Sequence, residues 1–336
     1  MAQRRKMSIS GALRYARVAA EPESTQVEVI RRTVTPGTGE NALDARWQSG
    51  LLFIVATALA LARMAPPRLE YEEPFAFWDI VPTLGFLEYL FEPWAGYFNV
   101  FARLSFLVAH PLDDLGPLVT RLLASAVIGL VAVYFASDAL ADAIPSRAVR
   151  IGLAMSLPML PIPYPGPYVG PLNSQWWIAL GVLGIALARP RTWHYPTLLV
   201  AGFTGVAPCI VLPVFRDRRG LALAVGVVAQ LALLLSGERR PPGFSITIDY
   251  ILVMLLVGAL LSAAPLPLRT RMAFGYLSIA ILALGSILTG WPLESNWRLL
   301  AVPGAAMALG VFALLLPRHP APIVQEAATE YARGAT

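Results

Sequence analysis

Nine apolar runs divide this chain, at roughly 50–66, 117–137, 148–161, 175–188, 195–215, 219–237, 249–264, 271–290 and 297–316. About 20 apolar residues in a helix cross a hydrocarbon core of about 30 Å, and several of the runs are long enough to do so. Only 14% of the 336 residues are charged and 57% are hydrophobic, with mean hydropathy +0.61. A soluble domain carries about 25% charged residues. The expected fold is therefore all-α, a polytopic membrane helix bundle at 47–316 between a disordered cytoplasmic tail, 1–46, and a second tail, 317–336. No cleavable leader is expected, because the first apolar run follows a long polar segment with Arg4, Arg5 and Lys6.

Arginines in short loops set the orientation. Arg147 and Arg150, Arg189 and Arg191, Arg216 with Arg218 and Arg219, Arg269 and Arg271, and Arg318 belong on the cytoplasmic side. Strict alternation fails at 195–215, which would export the 216–219 loop. That run is broken by Gly202, Gly205, Pro208 and Pro213, residues that disfavour one straight helix. Two half-helices dipping in and out from the cytoplasm restore every basic loop except Arg239-Arg240. The expectation becomes about eight transmembrane helices plus a re-entrant hairpin, in the plasma membrane with both termini cytoplasmic.

The first external loop, 67–116, then carries the chemistry. Its stretch 69–116 holds eight carboxylates and twelve aromatics, out of 21 acids in the whole chain. Interleaved rings and acids suit a membrane interface, and equally acid–base work beside a lipid. Segment 95–112 is apolar enough to span. Arg103 mid-run, the His110-Pro111 stop and Asp113-Asp114 favour an interfacial helix instead. The net charge of +5 comes from arginines scattered at run ends, so no nucleic-acid partner is expected. Three histidines and Cys209 make no zinc spacing.

This loop resembles that of the C-type (GT-C) membrane glycosyltransferases. The residues carrying the resemblance are Glu72-Glu73 soon after the first span, the stretch Phe75–Phe91, then EPWAGYFNVFARLSFLVAHPL at 92–112, Gly116 and Arg121-Leu122. The Gly-rich run AGFTGVAPCIVLP is similar to the superfamily's cytoplasmic hairpin. The chain departs in having Glu-Glu for the commoner Asp-Glu and Glu92-Pro93 for a basic residue, in a short form without a soluble C-terminal domain. The resemblance implies transfer of a sugar from a polyprenyl-phosphate donor to a cell-envelope glycan or lipid acceptor, in contact with membrane lipids. The metal requirement is open, a divalent ion being compatible.

Inverting transfer needs a carboxylate to accept the acceptor's proton, and Arg or a metal to meet the departing phosphate. Glu72 and Glu73, beside Pro74 and aromatics that exclude water, are candidate bases, and Asp79 is a second carboxylate or metal ligand. Arg239, Arg240 and Arg298 are candidate phosphate binders, while Tyr97 and Asn173 offer neutral hydrogen bonds to a sugar. Arg121 is expected to pair with Asp113 or Asp114. The alternative reading is a transporter or flippase of a lipid-linked substrate. Transporters place ionisable groups at mid-bilayer, whereas these runs are nearly free of mid-run charge.

Overall fold

Proline, glycine and asparagine stand at several of the helix ends in this chain. The structure is a computed structural model and describes residues 40–63, 69, 73–94, 96–160, 170–236, 248–289 and 297–316, with backbone only at 40–45, 248, 285–289 and 297–298. In chain order the longer helices are α1 (Glu40–Ala62), α2 (Val100–Ala109), α3 (Gly116–Ala136), α4 (Arg147–Ser156) and α5 (Ser174–Leu187), then α6 (His194–Gly202), α7 (Arg219–Ser236), α8 (Ile248–Ala263), α9 (Leu268–Thr289) and α10 (Ala301–Leu315). Among the described residues all other regular structure is short helical turns and two isolated bridges, Trp94 to Tyr97 and Asn99 to Thr204. The chain forms two units, one up to Gly50 and one from Leu51. The second contains α2 through α10.

Its core runs through Ile128 and Phe135 of α3, Leu153 of α4, Trp177 and Leu183 of α5, Phe274 of α9 and Val302 of α10. The outside is equally apolar: Leu235 is 72% exposed while Arg219 is 2% exposed. Soluble proteins show the reverse, so the exposed leucines call for an apolar solvent or partner. Two stretches among the described residues are long and apolar enough to cross a membrane, Val100–Ala136 and Arg219–Ser236. Shorter apolar helices are Arg46–Ala62, Asp249–Ala263 and Ala301–Leu315.

Val100–Ala136 is not one rod. Pro111 starts a 3-10 turn, and Asp113 takes φ 43, ψ −115, a conformation side chains disfavour. The chain reverses there and α3 packs along α2. At about 15 Å, α2 alone is too short to be a span. It buries Ala102, Arg103, Phe106 and Ala109 in the protein, so it is an element of the bundle.

Apolar run 195–215 is broken as its glycines and prolines require. Helix α6 ends at Gly202, the chain turns at Phe203–Gly205, and a single turn Val206–Cys209 leads back. Gly205 has φ 109, and a Cβ there would lie 2.3 Å from Gln175 Oε1. The segment leaves and re-enters at one place, because Arg219 Nη1 lies 3.0 Å from His194 Nδ1. It is a hairpin. The other basic loops gather at the same end: Arg219 donates to the carbonyls of Ile185 and Ala188, Arg269 to Ala186, Thr270 to Ala143, and Arg189 pairs with Asp142.

His194 closes the hairpin in its neutral form. Its Nδ1 faces the Arg219 guanidinium and the Arg191 backbone N–H at 3.2 Å, groups that only donate. Nδ1 therefore carries the lone pair, and Nε2 bears the proton, 3.2 Å from the Tyr134 hydroxyl. Burial, then the charges of Arg219 and Arg191, lower the His194 pKa from 6.5 to about 4. Between these values the unfolded chain takes up a proton that the native chain refuses. The contribution of His194 to stability is complete above pH 6.5 and is lost as pH drops toward about 4. Thermal unfolding across this range should show a steeper acid loss for the native chain than for His194→Asn, which keeps an acceptor but cannot titrate.

Helices α6 and α7 touch backbone to backbone at Gly202 and Gly226, where a Cβ on Gly226 would lie 2.4 Å from Gly202 Cα. Neither backbone can yield, so Gly226→Ala should destabilise by about 3 kcal/mol, the upper end for overpacking. Gly258→Ala, which meets nothing within 4 Å, is the control and should be neutral or slightly stabilising. Equal melting of the two variants would contradict this packing.

Candidate functional site

The acidic, aromatic loop folds as a small module on α2. Pro74 opens a π-helical turn, Pro74–Trp78, closed by the Asp79 N–H on the Pro74 carbonyl at 2.9 Å. Pro82 begins a 3-10 turn at Val81–Thr83, and Gly85 precedes the one-turn helix Phe86–Leu90. Gly96, at φ 82, permits the tight turn in which Trp94 and Tyr97 exchange backbone hydrogen bonds. The module's core is Ala76, Phe77, Tyr89, Ala102 and Phe106.

Arg103 holds this module together. Its Nη1 donates to the Ala76 carbonyl at 3.0 Å, inside the π turn. Its guanidinium lies 4.4 Å from the Phe77 ring centre and 4.9 Å from that of Tyr89. Such cation–π contacts strengthen when desolvated, and Arg103 is fully buried. Burial also pushes the Tyr89 phenol up to about 12, so it stays protonated and donates to the Phe77 carbonyl at 2.9 Å.

Glu73 enters the same turn from the other side and is buried. Arg121 grips it with both arms, Nη1 to Oε1 at 3.1 Å and Nη2 to Oε2 at 2.7 Å. This corrects the expected pairing of Arg121 with Asp113 or Asp114, which are exposed. A buried guanidinium gains most from a fork-to-fork partner that is itself buried. Glu73 thus spends both oxygens on Arg121, whereas Asp79, at the far end of the π turn, is exposed.

Trp94 packs edge-on against Phe75 and Phe77, with ring centres 6.0 and 5.9 Å apart. That brings the turn carrying half-buried Tyr97 onto the segment of Glu73 and Asp79. Buried Asn173 ends a 3-10 turn, Pro171–Asn173, whose Leu172 packs on the module core. Four of the expected residues therefore sit on adjoining segments. Glu72, Arg239 and Arg240 lie outside the described residues, as does the side chain of Arg298, whose backbone belongs to the turn Trp297–Leu300. Among the described residues no three His, Cys, Asp or Glu side chains converge as metal ligands.

A second polar cluster joins the module to the hairpin. Gln230 of α7 accepts from Phe98 N at 2.8 Å and donates to the carbonyls of Phe98 and Gly202, both at 3.1 Å. Phe203 takes the Val100 N–H, and Asn99 bridges to Thr204. Asn99 caps α2 through Oδ1, while its buried Nδ2 is unpartnered. Gln230 stands about 16 Å along α7 from Arg219, so two interrupted segments meet near mid-depth of the bundle. Sequence reasoning missed this residue, although a lone Gln inside an apolar run is a signal of buried backbone needing a partner.

Compared with protein-family models, curated proteins and solved structures, the chain has no match.

Removing one member of a buried pair strands the other. Glu73→Leu should therefore cost about 3–5 kcal/mol of stability, and Arg121→Met should cost about as much. The double variant Glu73→Leu/Arg121→Met removes both charges and should melt higher than either single variant. Additive losses in the double variant would argue against the pair.

Proposed function

We propose that the chain is a multi-pass membrane protein of about eight spans plus a re-entrant hairpin, with both termini cytoplasmic, and that its first external loop transfers a sugar from a polyprenyl-phosphate donor. The observation that carries this reading is the division of labour on the π turn. Glu73 is locked on Arg121, Arg103 pins the Ala76 carbonyl, and Asp79 is held exposed at the end of the rigid turn. π turns are rare and frequent at functional sites. Exposed Phe75, Phe86, Leu87 and Phe91 give the same module an apolar surface suited to a lipid chain.

In this mechanism the acceptor oxygen attacks C1 from the face opposite the phosphate. The O–C1 bond forms, the bond from C1 to the phosphate oxygen breaks, and polyprenyl phosphate leaves with the electron pair. The acceptor's proton passes to a carboxylate. With both Glu73 oxygens engaged, that role falls to Asp79 or Glu72, and Glu73 acts as a positioning residue. Arg239 and Arg240 are the proposed phosphate partners, and Tyr97 and Asn173 the hydroxyl partners.

The second reading, passage or flipping of a lipid-linked substrate, is favoured by one observation. Two interrupted apolar segments meet at mid-depth around Asn99, Thr204 and Gln230, the kind of place where transporters bind.

Purified protein incubated with a panel of polyprenyl-phosphate sugars separates the two. Under the transfer reading a donor is consumed, and either Asp79→Asn or Glu72→Gln slows this by about 10²–10⁴ while donor binding changes little. Arg239→Ala should weaken donor binding instead. Binding without consumption, unchanged in both carboxylate variants, would replace transfer with transport.

A further inference from the structure

The hairpin's basic end carries cations that the fold does not use. Buried Arg219 is committed to Asp217, His194 and two carbonyls. Exposed Arg191, Arg216 and Arg218 flank it on the two loops that His194 and Arg219 tie together, and among the described residues none of the three meets a carboxylate. The acids at this end are already occupied: Asp138 by Arg150, Asp142 by Arg189 and Asp217 by Arg219. Three exposed positive charges therefore stand around the buried contact of Arg219 with His194.

What adjoins them is apolar and exposed. Trp193 and Tyr195, each 42% exposed, stand at the mouth of α6. Trp193 is fixed in place by His194, with ring centres 4.3 Å apart, and by Tyr134 at 5.7 Å. Further along, Val200 of α6 and Val225 of α7 lie open on two helices held together by the Gly202–Gly226 contact. Charge, then aromatic ring, then aliphatic wall is the order of headgroup, interface and acyl chain in one phospholipid leaflet.

We propose that this end of the hairpin is a binding site for an anionic phospholipid, its phosphate on Arg191, Arg216 and Arg218 and its acyl chain along the wall of α6 and α7. The proposal rests on the multi-pass reading and not on glycosyl transfer. Free inorganic phosphate satisfies the charges alone and leaves the wall bare, so the lipid is the committed occupant.

The test uses the full chain and the triple variant Arg191→Gln/Arg216→Gln/Arg218→Gln in nanodiscs of phosphatidylcholine, with and without phosphatidylglycerol. Phosphatidylglycerol should raise the wild-type melting midpoint by about 4 °C or more, and added salt should shrink the rise. The triple variant should match the wild type in phosphatidylcholine and lose the rise. A wild type indifferent to phosphatidylglycerol, a rise undiminished in the triple variant, or the same rise from inorganic phosphate in phosphatidylcholine each overturns the site. The salt titration on wild type decides the matter if the variant misfolds: a rise insensitive to salt counts against it. Donor consumption measured in the same discs reports separately on transfer.

Discussion

Arginine side chains donating to backbone carbonyls hold this bundle together. A helix leaves its last carbonyls without partners, and in apolar surroundings each unpaired carbonyl is expensive. Here guanidiniums reach across to those ends: Arg219 to Ile185 and Ala188, Arg269 to Ala186, and Arg63 to Pro158 and Leu160, while Arg150 holds the loop carbonyls of Ile144 and Pro145 just before its own helix. The planar fork gives five donors in fixed directions, so each arginine sets the approach of two chain segments at once. Arg103 does the same inside the first-loop module. Residues that a hydropathy profile treats as interruptions are thus the ties between elements.

The breaks in the apolar runs were legible because they are local. Gly202, Gly205 and Pro208 predicted an interrupted helix, and the chain bends at Phe203–Gly205. Convergence of the basic loops at one end was legible too, since the Arg bias requires it once the hairpin is accepted. Pairings across long separations were not. Arg121 has Asp113 and Asp114 about two turns upstream, yet binds Glu73, 48 residues away in sequence. Nothing in composition distinguishes a carboxylate that will be buried from one that will not. Gln230 was overlooked for a similar reason: its three partners are backbone atoms, which leave no trace in a residue pattern.

Within the module the same physics separates two neighbouring acids. Glu73 points inward because Arg121, buried at the start of α3, needs a counter-charge. Asp79 lies a π turn away on the exposed side, beside Trp78, whose ring stacks on His110 at 4.9 Å. Gly116 belongs to this arrangement, since a Cβ there would sit 2.2 Å from Trp78 Cη2. Close approach of α3 to the π turn thus depends on one missing methyl group and one ion pair.

The carboxamide of Gln230 has a mechanical consequence. It bonds Phe98 through both backbone atoms and Gly202 through its carbonyl, from a helix whose first residue, Arg219, anchors the opposite end. A slide of either interrupted segment by the length of a hydrogen bond would strip polar atoms that have no water to replace the lost partner. The two segments are therefore tied to each other through a single side chain, which links the acidic, aromatic module to the hairpin and, along its own helix, to the basic end of the bundle.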